Sequence, residues 1–320
     1  MRKMVDSLGL NDLQAAIALL KKNYTNPDAV TETELDRAML EGLLVRQSRG
    51  VMLLPGPEKS PPPEPALYAE IFEGHVGYLR LGALSGTNLK VMDRKLTQFL
   101  SKKVDGLIID LRDSPGRTDF EDSAEFAKRF CPKGKPLFSV RKPPARQERS
   151  FSSDRDPVFQ GLMVVLTDGD TAGGAEAVAA VLRLYDKALI VGEPTAGRAV
   201  EYSDLPLPSG KVLRVAAAEA VLPDGHSLFP EGVKPDLPVE MSMADKRHIF
   251  HLSTEKGMGP FVYETERPHL NEAALLAGTN PELDATDTRR AQRQTRRLVR
   301  DLVLQRALDL VTSLEVYQKR

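Results

Sequence analysis

One cysteine, Cys131, occurs in 320 residues. A lone thiol excludes an intramolecular disulfide framework and a thiolate metal site, leaves the compartment open, and reads as a small buried hydrophobe. No run approaches the ~18 consecutive apolar residues of a membrane span. The opening MRKMVDSLGLNDL is basic but has neither an apolar stretch nor a small-residue cleavage site, so no signal peptide is visible. The formal net charge is −1, which argues against a protein built to bind polyanions. Nucleotide loops are missing too, since neither G-x-x-x-x-G-K-[ST] nor G-x-G-x-x-G occurs. What remains is an ordinary globular composition, 41% hydrophobic and 28% charged. The length suits one main core with helical appendages, or two modest domains.

Periodicity divides the chain into four parts. Residues 1–50 read as helical: Leu13, Ala16, Ile17, Leu20 and Tyr24 recur at helical spacing, and Thr31-Glu-Thr-Glu34 is a capping box ahead of Leu35, Ala38, Met39 and Leu43. Residues 51–67 form a semi-rigid linker, because the prolines of Leu54-Pro-Gly-Pro-Glu-Lys-Ser-Pro-Pro-Pro-Glu-Pro65 break every periodic pattern. Residues 68–240 alternate strand and helix: Gly77–Leu81, a helix through Met92, Leu96 and Phe99, and the buried strand Gly106–Asp110 make a βαβ unit. A helix on Phe120, Ala124, Ala127 and Phe130 follows, then strands at Leu137–Val140, Leu162–Leu166, Ala188–Val191 and Val212–Val221. Residues 241–320 are helical and end on the stripe Val299, Val303, Ala307, Leu310, Leu314, Tyr317, which wants a partner, a second chain or equally the opening helices. That stripe and the opening helices together predict a homo-oligomer.

Four motifs carry the functional signal. They are Asp110-Leu-Arg-Asp-Ser-Pro-Gly116, then Thr171-Ala-Gly-Gly-Ala-Glu176, then Gly192-Glu-Pro-Thr-Ala-Gly197, and finally Leu222-Pro-Asp-Gly225 with Glu231-Gly-Val-Lys-Pro-Asp236. In order and spacing they resemble the tail-specific, or C-terminal processing, serine peptidases. The resemblance implies an α/β fold, the ClpP/crotonase-like β-β-α spiral core flanked by helical N- and C-terminal segments, and an extracytoplasmic protein. It implies no cofactor and no metal. Family members often carry a PDZ domain between the opening helices and the core, where this chain has only the proline-rich linker.

The catalytic side chains of that family are replaced. Its nucleophilic Ser falls on Gly173, its general-base Lys on Arg198, and the Gln that commonly follows on Tyr202. Glycine offers no nucleophile, and a guanidinium stays protonated, so Arg198 cannot take a proton from a hydroxyl as a desolvated lysine does. The backbone donors of the family's oxyanion hole fall on Gly116 and Gly174, with Arg117 where a second glycine is usual. These residues, Gly116, Arg117, Gly174 and Arg198, form the candidate binding set. The reading that follows is a non-hydrolytic peptidase relative that binds peptide C-termini or a protein partner. Two alternatives stay open: a hydrolase using a displaced hydroxyl, Thr171 or Ser114, and an oligomeric scaffold with a vestigial cleft.

Two other clusters read as bland. Of His75, His226, His248, His251 and His269, only His248 and His251 share a helical face, with no acidic or cysteine partner at metal spacing. His226 reads as a turn residue after Asp224-Gly225. The run Arg289, Arg290, Arg293, Arg296, Arg297, Arg300 lacks interleaved aromatics, and a nucleic-acid partner is not expected.

Overall fold

The computed structural model describes residues 2–56, 63–114, 119–262 and 299–318. Two compact units emerge: Met1–Lys59 with Tyr202–Ala216, and Ser60–Glu201 with Ala217–Arg320.

The first unit is an αα-hairpin and a small antiparallel sheet. It contains α1 (Arg2–Asp6), α2 (Leu10–Asn23), a single 3₁₀ turn Pro27–Val30, α3 (Glu32–Arg46) and β1 (Val51–Leu54). The Thr31 hydroxyl accepts the Glu34 N–H at 3.3 Å and so satisfies one of the orphan donors at the start of α3, as the capping-box spacing predicts. Ion pairs close both ends of the hairpin, Arg46–Asp6 at 2.9 Å and Lys21–Glu32 at 3.6 Å. Neither α2 nor α3 buries a single side chain. β1 pairs antiparallel with the first residues of β10 (Val212–Val221), Val51 opposite Val215 and Leu54 opposite Val212.

The second unit is built on a six-stranded sheet whose elements are β2 (Tyr68–Phe72), β3 (Val76–Arg80), β4 (Gly106–Asp110), β7 (Leu162–Thr167), β8 (Leu189–Gly192) and β11 (Leu237–Pro238). Its order is β11-β8-β7-β4-β3-β2, parallel except for the β2–β3 hairpin. The central strands are mostly apolar because both faces are covered, with Arg80, Asp110 and Thr167 at their C-terminal ends. Leu79, Leu107, Ile109, Val165 and Ile190 point to one face, where α4 (Gly86–Ser101), α5 (Phe120–Ala127) and α6 (Gly174–Leu184) pack through Leu96, Phe99, Phe120, Val178 and Val181. Tyr78, Ile108, Val164, Leu166 and Val191 point to the other. A second, antiparallel group pairs β5 (Pro136–Lys142) with β6 (Gln147–Ser152) and with the last residues of β10.

The second face is where the sequence reading needs correction. The stripe on Val303 and Ala307 left a second chain and the opening helices equally open as its partner, yet Val303, Leu304, Ala307 and Val311 of α9 (Leu302–Gln318) are at most 2% exposed. They pack on the sheet with Ile249 and Phe250 of α7 (Met243–Lys256) and Phe261 of α8 (Gly259–Val262). A parallel sheet fed by crossovers on one face leaves the other bare, and the C-terminal helices cover it. Most of the arginine run, Arg289 to Arg297, and His269 lie outside the described residues.

Candidate functional site

The Thr171–Glu176 motif turns β7 into α6. Thr171 is fully buried, donates its hydroxyl to the Leu111 carbonyl at 3.0 Å and accepts the Asp168 N–H at 3.1 Å. It is a turn staple, with its hydroxyl already committed. Gly173 follows with φ 62° and ψ −129°. A side chain there would cost about 1–3 kcal/mol of backbone strain; glycine adopts it freely. Gly174 opens α6, and its N–H meets no acceptor among the described residues.

Below this turn sits a carboxylate that lies outside the candidate binding set. Glu176 is fully buried. Its Oε1 accepts the N–H groups of Gly173 at 3.1 Å and Arg198 at 2.7 Å. Its Oε2 accepts the Gly197 N–H at 2.8 Å and the Thr195 hydroxyl. Gly173 and Arg198 share one oxygen, so their main-chain nitrogens lie no further apart than those two bonds together. The nucleophile-position turn and the base-position turn are thus held as one object. Burial pushes the Glu176 carboxyl above its ordinary value, against the four donors that favour the anion.

The fourth motif closes over the same carboxylate. Thr195 exchanges bonds with Val233, its N–H to the Val233 carbonyl at 3.0 Å and the Val233 N–H to its hydroxyl at 2.8 Å. Gly232 lies against this cluster at φ 74°, where an added β-carbon would fall 2.6 Å from Thr195 Oγ1, 2.8 Å from Gly197 N and 2.9 Å from Glu176 Oε2. Gly232→Ala is therefore expected to lose more than about 3 kcal/mol, from a positive φ and a backbone clash together, which thermal unfolding of the purified variant will show.

Among the described residues the Arg198 guanidinium pairs with none of Glu176, Glu193 and Glu201. Glu176 holds its backbone N–H rather than its guanidinium, Glu193 accepts the Met241 N–H at 3.0 Å, and Glu201 pairs with Arg149. The Arg198 side chain is exposed and has no partner among the described residues. Tyr202 donates its hydroxyl to the Arg49 carbonyl at 2.6 Å. Gly116 and Arg117 lie outside the described residues. Ser114, the other displaced-nucleophile candidate, is buried, and among the described residues its hydroxyl has no hydrogen-bond partner and no base within reach.

Behind the turn lies a buried ionic frame reaching into the C-terminal helices. Arg112 is 1% exposed and bonds both carboxylates of Asp110 and Asp301: Nη2 to Asp110 Oδ2 at 2.7 Å and to Asp301 Oδ2 at 2.8 Å, Nη1 to Asp301 Oδ1 at 2.9 Å. The Tyr78 hydroxyl donates to Asp110 at 2.7 Å. Burial opposes the charge on Asp110, but the Arg112 guanidinium outweighs it and holds that carboxyl below the aspartate range. Lys246 of α7 donates to Asp168 at 2.6 Å, Asp170 at 2.9 Å and the Arg112 carbonyl at 2.9 Å, which pins the Asp168–Thr171 turn. Glu176 had a local signal, its N3 position in a helix that follows a glycine turn. Lys246 and Asp301 had none, being 78 and 189 residues from the groups they hold. Among the described residues no group of three or more His, Cys, Asp or Glu is placed to hold a metal ion.

The sequence profile of Peptidase family S41 matches residues 75–239, just over half of the chain. The chain belongs to that family. It is 29% identical over 168 residues to a carboxyl-terminal-processing protease of Synechocystis, covering 52% of this chain and 39% of the relative. With the carboxy-terminal processing protease CtpA of Bacillus subtilis it shares 25% over 179 residues, covering 56% and 38%. It thus spans about two-fifths of the length of these curated relatives. A crystal structure described as a peptidase from Parabacteroides merdae aligns with 76% of this S41 chain and 85% of its own, at a TM-score of 0.55 and 18% identity. The fold is accordingly the ClpP/crotonase-like α/β core that the motifs implied.

Proposed function

We propose that this S41 chain is a non-hydrolytic member of its family that receives a peptide C-terminal carboxylate at the former catalytic turn. The observation that carries the reading is the coupling through Glu176. One buried oxygen holds the Gly173 and Arg198 nitrogens, and among the described residues the Gly174 N–H has no acceptor and the Arg198 guanidinium no counterion. An unsatisfied N–H at the start of an eleven-residue helix favours an anion. A guanidinium matches a carboxylate bidentately and keeps its charge. Hydrolysis lacks its parts: Gly173 has no side chain, Arg198 cannot act as base, and Thr171 and Ser114 are buried without one.

The expected result is no covalent adduct with a fluorophosphonate probe and no turnover of unfolded protein tails. Calorimetry should detect peptide binding that both C-terminal amidation and Arg198→Ala weaken by about 1.5–3 kcal/mol, the worth of a charge-assisted hydrogen bond. A stoichiometric adduct on any hydroxyl sinks the non-hydrolytic reading. Binding that ignores both changes sinks the carboxylate reading and leaves a vestigial cleft.

A further inference from the structure

Two neighbouring carbonyls at the end of β4 are held from outside the strand. The Leu111 carbonyl accepts the Thr171 hydroxyl at 3.0 Å, and the Arg112 carbonyl accepts the Lys246 ammonium at 2.9 Å. That ammonium spends its other two donors on the turn that carries Thr171, at 2.6 Å to Asp168 and 2.9 Å to Asp170. All three donors of the lysine are therefore in use. Lys246 is buried, and it lies past residue 239, where the match to the S41 profile ends. Helix α7 is seated so as to deliver it. Lys246, Phe250 and Ser253 stand at i, i+4 and i+7, one face of the helix. The centre of the Phe250 ring is 4.2 Å from the Arg80 guanidinium and 5.3 Å from that of Arg112, and Arg80 donates to the Ser253 hydroxyl at 3.1 Å. Directional contacts spread along one face fix both the rotation and the height of a helix, which apolar packing alone does not.

We infer that Lys246 is a positioning residue of the candidate site: one ammonium ties the chain that leads into Gly116 to the chain that leads into Gly174, and so sets the backbone donors a bound carboxylate meets. The inference rests on the carboxylate reading of that site. A peptide unit is planar, so holding the Arg112 carbonyl also fixes the direction of the Asp113 N–H and with it the start of the turn. On the other side, the Asp168 carboxylate accepts the Asp170 N–H at 2.9 Å and the Asp168 carbonyl accepts the Thr171 N–H at 3.0 Å. Fixing Asp168 therefore fixes the turn as far as Thr171, two residues ahead of Gly173. The C-terminal segment thereby controls the geometry of a site built wholly from the S41 core.

The test uses the full chain. Two variants remove the tie: Lys246→Met, and Lys246→Met combined with Asp168→Asn, in which no buried carboxylate at 168 is left without its cation. Ile249→Ala is the control, since that side chain is buried on α7 within the apolar cluster on the sheet and touches neither turn's polar groups. Amide exchange in the ligand-free protein reads each turn directly. The Ser114 N–H is bonded to the Leu111 carbonyl and the Thr171 N–H to the Asp168 carbonyl, while the Leu111 N–H, bonded across the sheet to the Leu166 carbonyl, reads the core. In both Lys246 variants Ser114 and Thr171 are expected to exchange together, about tenfold faster relative to Leu111, and Ile249→Ala should leave that ratio unchanged. Calorimetric affinity for a peptide with a free C-terminus should fall about tenfold in the Lys246 variants and by no more than about twofold in the control. Acceleration at only one turn, or an equal change of the ratio in the control, overturns the inference. Peptide binding that the Lys246 variants keep, or that the control weakens as much, overturns it as well. A wild-type chain that binds no peptide overturns the carboxylate reading alone, and the exchange ratio then decides whether Lys246 couples the turns.

Discussion

Replacing Glu176 with glutamine is expected to lower the unfolding free energy by about 2–4 kcal/mol, although the two side chains have the same shape. Four donors converge on this carboxylate, two on each oxygen. Glutamine keeps one acceptor oxygen and turns an NH₂ group toward the other pair, so at least one backbone N–H faces a donor in a fully buried site. The Thr195 hydroxyl is also engaged by the Val233 N–H, so its rearrangement disturbs a second bond. The sign of the pH dependence follows from burial, which raises the carboxyl in the folded state. A raised acid contributes most below its unfolded value and loses that contribution as pH rises through its folded one. The gap between wild type and Glu176→Gln should therefore narrow from acidic toward neutral pH. Urea titrations across that range will measure it, and a gap that widens with pH would contradict the assignment. Because the same carboxylate sets the Gly174 and Arg198 geometry, peptide binding should fall with stability.

Arg112→Met is expected to cost about 3–5 kcal/mol. The arginine is the cation between Asp110 and Asp301, and removing it leaves two buried carboxylates facing each other. Adding Asp110→Asn and Asp301→Asn to the same variant should recover part of the loss. The destabilising element is the uncompensated charge, and buried ionic groups replaced together often cost little. Wild-type Asp110, held low by Arg112, contributes stability above the ordinary aspartate range and loses it as pH falls through the depressed value. In Arg112→Met the dependence reverses, because protonation relieves the orphaned pair. Chemical denaturation of the single and triple variants at neutral and acidic pH checks both statements. If the single variant is as stable as wild type, the frame does not hold α9 to the sheet.

Some of this molecule could be read without coordinates. Segments that repeat locally disclose themselves: the capping box at Thr31, the apolar strand Gly106–Asp110, and the turn glycines whose spacing named the family all depend on residues a few positions apart. Gly173 and Arg198 could be singled out for the same reason, since each belongs to a short motif. The C-terminal stripe was legible as an apolar face but not as to its partner. Periodicity shows that a helix has something to bury and is silent on where, so an internal sheet and a second chain look alike. Only the tertiary structure decided that α9 covers the bare face of the parallel sheet. Likewise the role of Glu176 as the joint of three motifs appeared only when Thr195, Gly197 and Gly232 were brought onto it. Local hydrogen bonds and hydrophobic period are written in neighbouring residues, which is why the sequence by itself determined the family and most of the elements. Buried polar groups must instead find their partners wherever the chain returns, as Arg112 finds Asp301 and Asp168 finds Lys246, and that return is a property of the folded core alone.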